Sequence, residues 1–316
     1  MGDIGQVSEF INEFARWLLV ERGFSKHTVR NYCADVELLF EVAGNDLSKI
    51  DETKIELFVN FMAKHGAKQS SIARRLSSIR TFYRFLKLKG FIDSMPILHF
   101  RKPRVKRKLP NYLSEEEMAK AFESVKDPPE KAILEVLYST GIRVSELCAL
   151  NIDDVDLAGG RIRVIGKGGK ERIVFLTEEA MKSLREYLLF RLEKISRMKQ
   201  VNEDTRRALF ITSRGRISDM TVRRILKRIF SRSGIKKRVY PHLIRHTIAT
   251  HLLEEGMNLK GVQTLLGHKN IQTTEVYTHV SLRHLLEMYR RAHPRGSDKI
   301  DNSSGDKKGQ PDSNGS

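Results

Sequence analysis

A chain of 316 residues, 40% hydrophobic and 30% charged, can hold two domains with separate cores, and no apolar run nears the ~20 residues of a bilayer span. The formal net charge of +18 makes nucleic acid the natural partner, with an acidic membrane surface as the lesser alternative. The opening MGDIGQVSEF lacks the basic start and apolar stretch of a secretory leader, and Cys33 and Cys148, in apolar helical settings, read as buried free thiols.

Residues 7–90 read as four helices. The first, 8–22, places Phe10, Ile11, Phe14, Trp17 and Leu18 at core spacing. The second follows Ser25 and carries Val29, Tyr32, Leu38 and Phe40. The third opens at Asp51 with Ile55, Phe58, Val59 and Met62. The fourth, 69–88, turns Ile72, Leu76, Ile79, Phe82, Tyr83 and Phe85 inward. Its other face shows Arg74, Arg75, Arg80, Arg84 and Lys87. Such a face is often only solvated, but its neighbour in sequence argues for contact with a nucleic-acid backbone. That neighbour sets Arg101, Lys102, Arg104, Lys106, Arg107 and Lys108 among Pro96, Pro103 and Pro110. Prolines stiffen a linker and cations keep it in water. The expected division is therefore a helical domain over 1–95, a basic linker over 96–112, a second domain over 113–295 and a disordered tail over 296–316. The tail has more aspartates than lysines, so the basic excess lies on the rest of the chain.

The second domain opens at Ser114 with Glu117 in the reciprocal capping position. A helix follows Asp127-Pro128-Pro129-Glu130, and Arg143 opens a shorter one. Residues 161–165 and 172–176 read as strands joined through Gly166-Lys167-Gly168-Gly169-Lys170, a hairpin signal. Thr177 caps a long helix, and 208–212 reads as a third strand. Further helices are expected over 218–232, 241–255, 259–266, 271–277 and 282–292. The fold class is mainly α with a small antiparallel β-sheet.

The chemistry is densest from Pro241 to His279. His242 and Arg245, three apart, share one helix face. A guanidinium offers forked donors to phosphate and stays charged. His268 follows a Gly267 turn, and Tyr277 lies nine residues on. A phenol among cations and imidazoles can act as a nucleophile. Upstream, Arg143 stands at a helix start and Lys167 in the hairpin turn. Singly, each residue has an ordinary use: Arg143 as a partner for Glu146, His268 as a helix cap, Tyr277 as a core ring. Other chemistries fit worse. A phosphate-binding Walker loop fails because Gly160 is one residue too far from Gly166-Lys167 and Gly168 replaces Ser or Thr. Leu243 stands where a zinc protease built on His242 and His246 needs Glu. Asp153, Asp154 and Asp156 read as a solvated loop rather than a two-metal site.

Taken together, Arg143, Lys167, His242, Arg245, His268 and Tyr277, in the order R…K…HxxR…H…Y, resemble the tyrosine recombinase (phage integrase) family, and within it the Xer type, over about residues 7–295. The resemblance implies a four-helix SAM-like core-binding domain followed by a catalytic domain. It implies that Tyr277 attacks DNA to form a 3′-phosphotyrosyl bond. Arg143, Arg245, His242 and His268 would hold the phosphate, and Lys167 would protonate the leaving 5′ oxygen. No metal, nucleotide or other cofactor is implied. The expected partners are double-stranded DNA carrying a specific site and three further copies of the chain, with no membrane. The helix at 282–292, with Leu282, Leu285, Leu286 and Met288 as its apolar stripe, would be passed to a neighbouring protomer. The expected function is resolution of chromosome dimers at a dif-like site, in the cytoplasm with the nucleoid. Alternatives are a plasmid or mobile-element integrase of the same family, a nicking-closing topoisomerase, and a non-catalytic sequence-specific DNA-binding protein. His246 is expected to be structural and Glu171 to lie on the surface. Ile244, Thr247 and Ile248 replace the family's common Leu, Ser and Phe without touching a role.

Overall fold

The computed structural model describes residues 3–93, 95, 112–166, 169–267 and 279–296. The chain divides into two compact units, 1–109 and 110–316.

The first unit consists of α1 (Asp3–Val20), α2 (Lys26–Ala43), α3 (Glu52–Lys64) and α4 (Gln69–Leu88). Ser25 and Asp51 accept hydrogen bonds from Thr28 N and Lys54 N, so each helix begins where a short polar side chain satisfies a first-turn donor. Aromatic rings fill the centre: Phe14 meets Phe82 edge-on at 5.2 Å, and Trp17 lies 5.5 Å from Phe85. The buried stripe of α2 runs through Val29, Val36, Leu39, Phe40 and Ala43. Tyr32 and Leu38 fall off that 3.6-residue line and are only half-buried. One carboxylate is also inside. Asp35 takes a fork from Arg74 (Nη1–Oδ2 2.6 Å, Nη2–Oδ1 2.9 Å) and a bond from Ser78 Oγ (2.8 Å), and Arg75 Nε lies 3.5 Å away. A charge removed from water must be paired, and this pairing ties α2 to α4.

The second unit is built around α6 (Pro128–Thr140), whose residues from Ala132 onward are all buried. A helix apolar on every side belongs at the middle of a fold. Around it pack α8 (Glu178–Ser196), α10 (Asp219–Arg232) and α11 (Pro241–Glu254). Ahead of α6, the capping box of Ser114 and Glu117 starts α5 (Glu115–Glu123) as expected. After it come α7 (Val144–Ala149) and an antiparallel sheet of β1 (Val155–Asp156), β2 (Arg161–Ile165) and β3 (Glu171–Phe175), in that order. Ile162 faces Val174 in the register. The chain continues through α9 (Glu203–Arg207), the short pair β4 (Ile211–Thr212) and β5 (Gly215–Arg216), then α12 (Leu259–Leu266) and α13 (His279–Ala292). The strand expected over 208–212 is thus broken, with Ile211–Thr212 in β4 and Ala208 in an isolated bridge to Asn151. Leu209 N bonds to Leu150 O and Phe210 O accepts from Ile217 N, so this apolar run is spent on the exit of α7.

α13 and the two cysteines bear on two further expectations. The stripe of α13 covers this chain's own core: Leu285, Tyr289 and Ala292 are buried there, with Leu282, Leu286 and Met288 packed alongside. Tyr289 Oη donates to Ser139 O at 2.9 Å. Both cysteines are half-buried rather than buried; they are free, and burial pushes each thiol up to about 11. Among the described residues no helix is long and apolar enough to cross a membrane. The expected helix at 271–277 and the tail from residue 297 lie outside the described residues.

Candidate active site

Two glycines shape the site. α6 ends at Gly141 with φ 58°, and α12 ends at Gly267 with φ 68°, both left-handed conformations that glycine adopts without cost. A Cβ on Gly141 would stand 2.5 Å from Leu266 Cδ2, so its absence lets the end of α6 lie against the end of α12. The last carbonyls of a helix lack intrahelical donors and carry partial negative charge. In this fold they are the anchor for cations.

Three arginines bind there. Arg245, only 8% exposed, donates from Nη1 to Gly141 O (2.6 Å) and from Nη2 to Leu266 O (2.5 Å). Arg143, just ahead of α7, donates from Nη2 to Gly267 O (3.4 Å) and from Nη1 to Glu146 Oε1 (2.8 Å). Arg172, on β3, donates from Nε to Leu265 O (3.2 Å) and from both Nη atoms to the Glu146 carboxylate (3.1 and 2.8 Å). Glu146 Oε2 also accepts the Arg143 backbone N–H at 2.8 Å. Three successive carbonyls of one turn thus hold three guanidiniums.

The electrostatics follow from the count of charges. Three guanidiniums share one carboxylate, which leaves net positive charge. Burial first, with the fields of Arg143 and Arg172 adding and Glu146 opposing, pushes Arg245 down to about 10. It stays charged at neutral pH. Burial alone would raise Glu146, but hydrogen bonds from Arg172 and from the Arg143 backbone and side chain outweigh it and hold the carboxyl below its usual range. Arg143 and Arg245 keep N–H donors that have no protein partner among the described residues, in a setting that favours an anion.

α11 supplies the histidines. Pro241 occupies its first turn, and His242, three residues before Arg245, is exposed. Leu243, Ile244, Thr247 and Ile248 anchor the opposite face in the core, and Thr247 Oγ1 accepts from Leu113 N at 3.0 Å. His246 is exposed, contrary to the structural role expected for it. The structural histidine of this helix is His251, which sequence reading missed: its ring bonds to Tyr138 Oη and Leu113 O, each at 2.9 Å.

Lys167, His268 and Tyr277 lie outside the described residues; their supports do not. Gly166 N bonds to Lys170 O at 2.8 Å beside the β2–β3 pair, and Gly267 ends α12. Arg101, Lys102, Arg104, Lys106, Arg107 and Lys108 are also outside them. In α4, Arg84 is exposed and Arg80 half-buried. Arg74 and Arg75 instead turn to Asp35, so their first duty is to the helix pair; only a carboxylate on α2, invisible in the pattern of α4, reveals this. The acidic loop also differs from expectation. Asp154 is buried, accepting from Asn151 N and Arg163, and Asp156 pairs with Arg161. No group of three metal-ligating side chains occurs among the described residues. Glu171 is exposed as expected. Arg172 beside it was overlooked, although strand alternation turns it to the opposite face.

The phage integrase family pattern matches residues 111–284, and the pattern for the SAM-like N-terminal domain of phage integrases matches residues 11–90. Tyrosine recombinase XerC of Thermodesulfovibrio yellowstonii is 41% identical over 294 residues, spanning 90% of this chain and 96% of the relative. XerC of Vibrio cholerae is 37% identical, covering 92% and 94%. XerD of Oceanobacillus iheyensis is 39% identical, covering 90% and 98%. Two solved structures share the fold. The Tn1549 transposon integrase in complex with transposon right end DNA has a TM-score of 0.66 at 20% identity, covering 88% of this chain and 98% of its own. The XerH site-specific recombinase bound to difH substrate has 0.63 at 19%, covering 95% and 85%. With both units matched and relatives this similar along nearly their whole length, the chain belongs to the phage integrase family, the tyrosine recombinases that break and rejoin DNA.

Proposed function

We propose that this chain is a Xer-like site-specific recombinase that cuts and rejoins duplex DNA through a 3′-phosphotyrosyl bond. The single observation that carries the reading is the meeting of Arg143 and Arg245, 102 positions apart in sequence, at the end of α12 with unspent donors. Attack on a phosphodiester places extra negative charge on the non-bridging oxygens, and preorganised cations lower that barrier. In the proposed step Tyr277 Oη forms a bond to phosphorus while the bond to the 5′ oxygen breaks. Lys167 gives the leaving oxygen its proton. His242, exposed one turn before Arg245, can accept the phenolic proton or bond the phosphate, and His268 adds a second donor. A 5′-hydroxyl of a partner strand then attacks the phosphotyrosyl group and frees the tyrosine. None of these residues draws on a cofactor.

The substrate is double-stranded DNA. The run 101–108 and the exposed Arg84 are proposed to track its backbone, within a linker over 96–112 that joins the domains 1–95 and 113–295. XerH was solved on difH, and a lambda integrase tetramer on a Holliday junction. By analogy, four copies of this chain would join two dif-like sites, resolving chromosome dimers in the cytoplasm at the nucleoid. The test is covalent capture. A nicked suicide duplex carrying a dif-like site should yield a protein–DNA adduct in a denaturing gel, and Tyr277→Phe should bind the duplex and yield none. An adduct with the Phe variant moves the nucleophile elsewhere. Capture only on a plasmid or transposon end reassigns the site, and relaxation of plasmids lacking any such site favours a topoisomerase.

A further inference from the structure

Arg172 is the one guanidinium of the cluster with no part in the proposed chemistry. Its side chain is 12% exposed and the Glu146 carboxylate between it and Arg143 is 5% exposed. Its own position is over-determined. It leaves β3 opposite Val164, bonds to Leu265 O, and packs so closely under Gly267 that a Cβ there would stand 3.1 Å from its Cδ and Nε. A Cβ on Gly166 would stand 3.6 Å from its Nη1 and 3.9 Å from Glu146 Oε1, so the hairpin base runs against the ion pair.

Arg143 is held differently. It is 36% exposed, and its guanidinium has one short bond, to Glu146, and one long one, to Gly267 O. Its aim therefore depends on where the Glu146 carboxylate points, and two of the donors fixing that carboxylate belong to Arg172. On the reading of Arg143 as a phosphate ligand given above, we propose that Arg172 is a positioning residue, which satisfies Glu146 so that Arg143 is left facing the scissile phosphate. Without Arg172, the buried carboxylate keeps a single hydrogen-bonded cation, Arg143, since Arg245 is bonded to main-chain oxygens. It draws Arg143 into a two-pronged pair, and the donors meant for the phosphate are spent inside the protein.

The loss is then in the cleavage step and not in DNA affinity. Arg172→Met keeps an unbranched stem and removes the charged head. Its single-turnover cleavage of the suicide duplex should slow about 100-fold, the scale of an angstrom-sized misplacement, with site binding unchanged. Arg172→Lys keeps a charge near Glu146 but loses the fork and cannot also serve Leu265 O. It should fall between Met and wild type, and it carries the test if the Met variant melts too low to assay. A scissile methylphosphonate, lacking the non-bridging charge, should narrow the gap between variant and wild type by about tenfold, because less charge then needs neutralising. An equal deficit on both substrates makes Arg172 merely structural and overturns the inference. So does relief confined to a bridging 5′-sulfur substrate, which would place the defect in leaving-group protonation. A wild type that forms no adduct sinks the tyrosine reading and this inference with it; a normal wild type with an equally fast Met variant sinks only the inference.

Discussion

The two arginines proposed to hold the phosphate differ in how they are built. Arg245 is buried and hung on two carbonyls, whereas Arg143 reaches from a half-exposed position. Replacing either with Ala should cost roughly 10²–10³ in cleavage rate while leaving most DNA binding, which a gel-shift beside a single-turnover assay will separate. Arg245→Lys should not rescue, because one ammonium cannot span Gly141 O, Leu266 O and a phosphate. A second buried charge gives a pH effect. Burial raises Glu135 to about 7, Arg295 opposing and Glu179 adding to the shift, and its Oε2 has no hydrogen-bond partner among the described residues. The unfolded carboxyl titrates near ~4.3. Between there and about 7 the folded chain holds the extra proton, so stability falls as pH rises through that window and the loss is complete above it. Melts at pH 5 and pH 8 should show a drop for wild type and a smaller one for Glu135→Gln.

At the scale of elements, the site depends on α6 and α12 ending against each other. Gly141→Ala would place a methyl into Leu266 at a positive φ, and should cost about 1–3 kcal/mol, read as a lowered Tm with weakened cleavage. α13 supplies core residues to its own unit, so deleting residues 281–316 should lower Tm as well as disturb assembly. Much of this was legible in advance. Ser25, Asp51, Ser114 and Thr177 announce their helices because a cap is a local bond between residues three apart. The order of Arg143, His242 and Arg245 was legible as a likeness. The meeting of Arg143 with Glu146, a single turn away, could be weighed, but Arg172 at the same carboxylate comes from 26 positions off and no spacing reveals it. The bond of Tyr289 to Ser139 and the tie of Arg74 to Asp35 were hidden for the same reason: each is a contact between elements.

For the whole molecule, the net charge of +18 is the dominant long-range property. DNA affinity should fall steeply as salt rises, through release of counterions, and a flat titration contradicts a backbone-tracking surface. The basic residues will not contribute equally. Arg74 already neutralises Asp35, so Arg84→Ala should reduce the salt slope by more than Arg74→Ala does, whereas Arg74→Ala should show mainly in the melting curve.

Each of the three cations of the site has one tether to a main-chain oxygen, 265, 266 or 267. Those tethers do not depend on which apolar side group stands at Leu265 or Leu266, whereas Gly267 is held to glycine by its positive φ and by Arg172 beneath it. A change of length has no such freedom. One residue inserted between Leu266 and Gly267 would swing the following oxygen by about 100° around the helical axis. In a scanning library, apolar swaps at Leu265 and Leu266 should therefore be tolerated better than replacement of Gly267 or any insertion in this stretch.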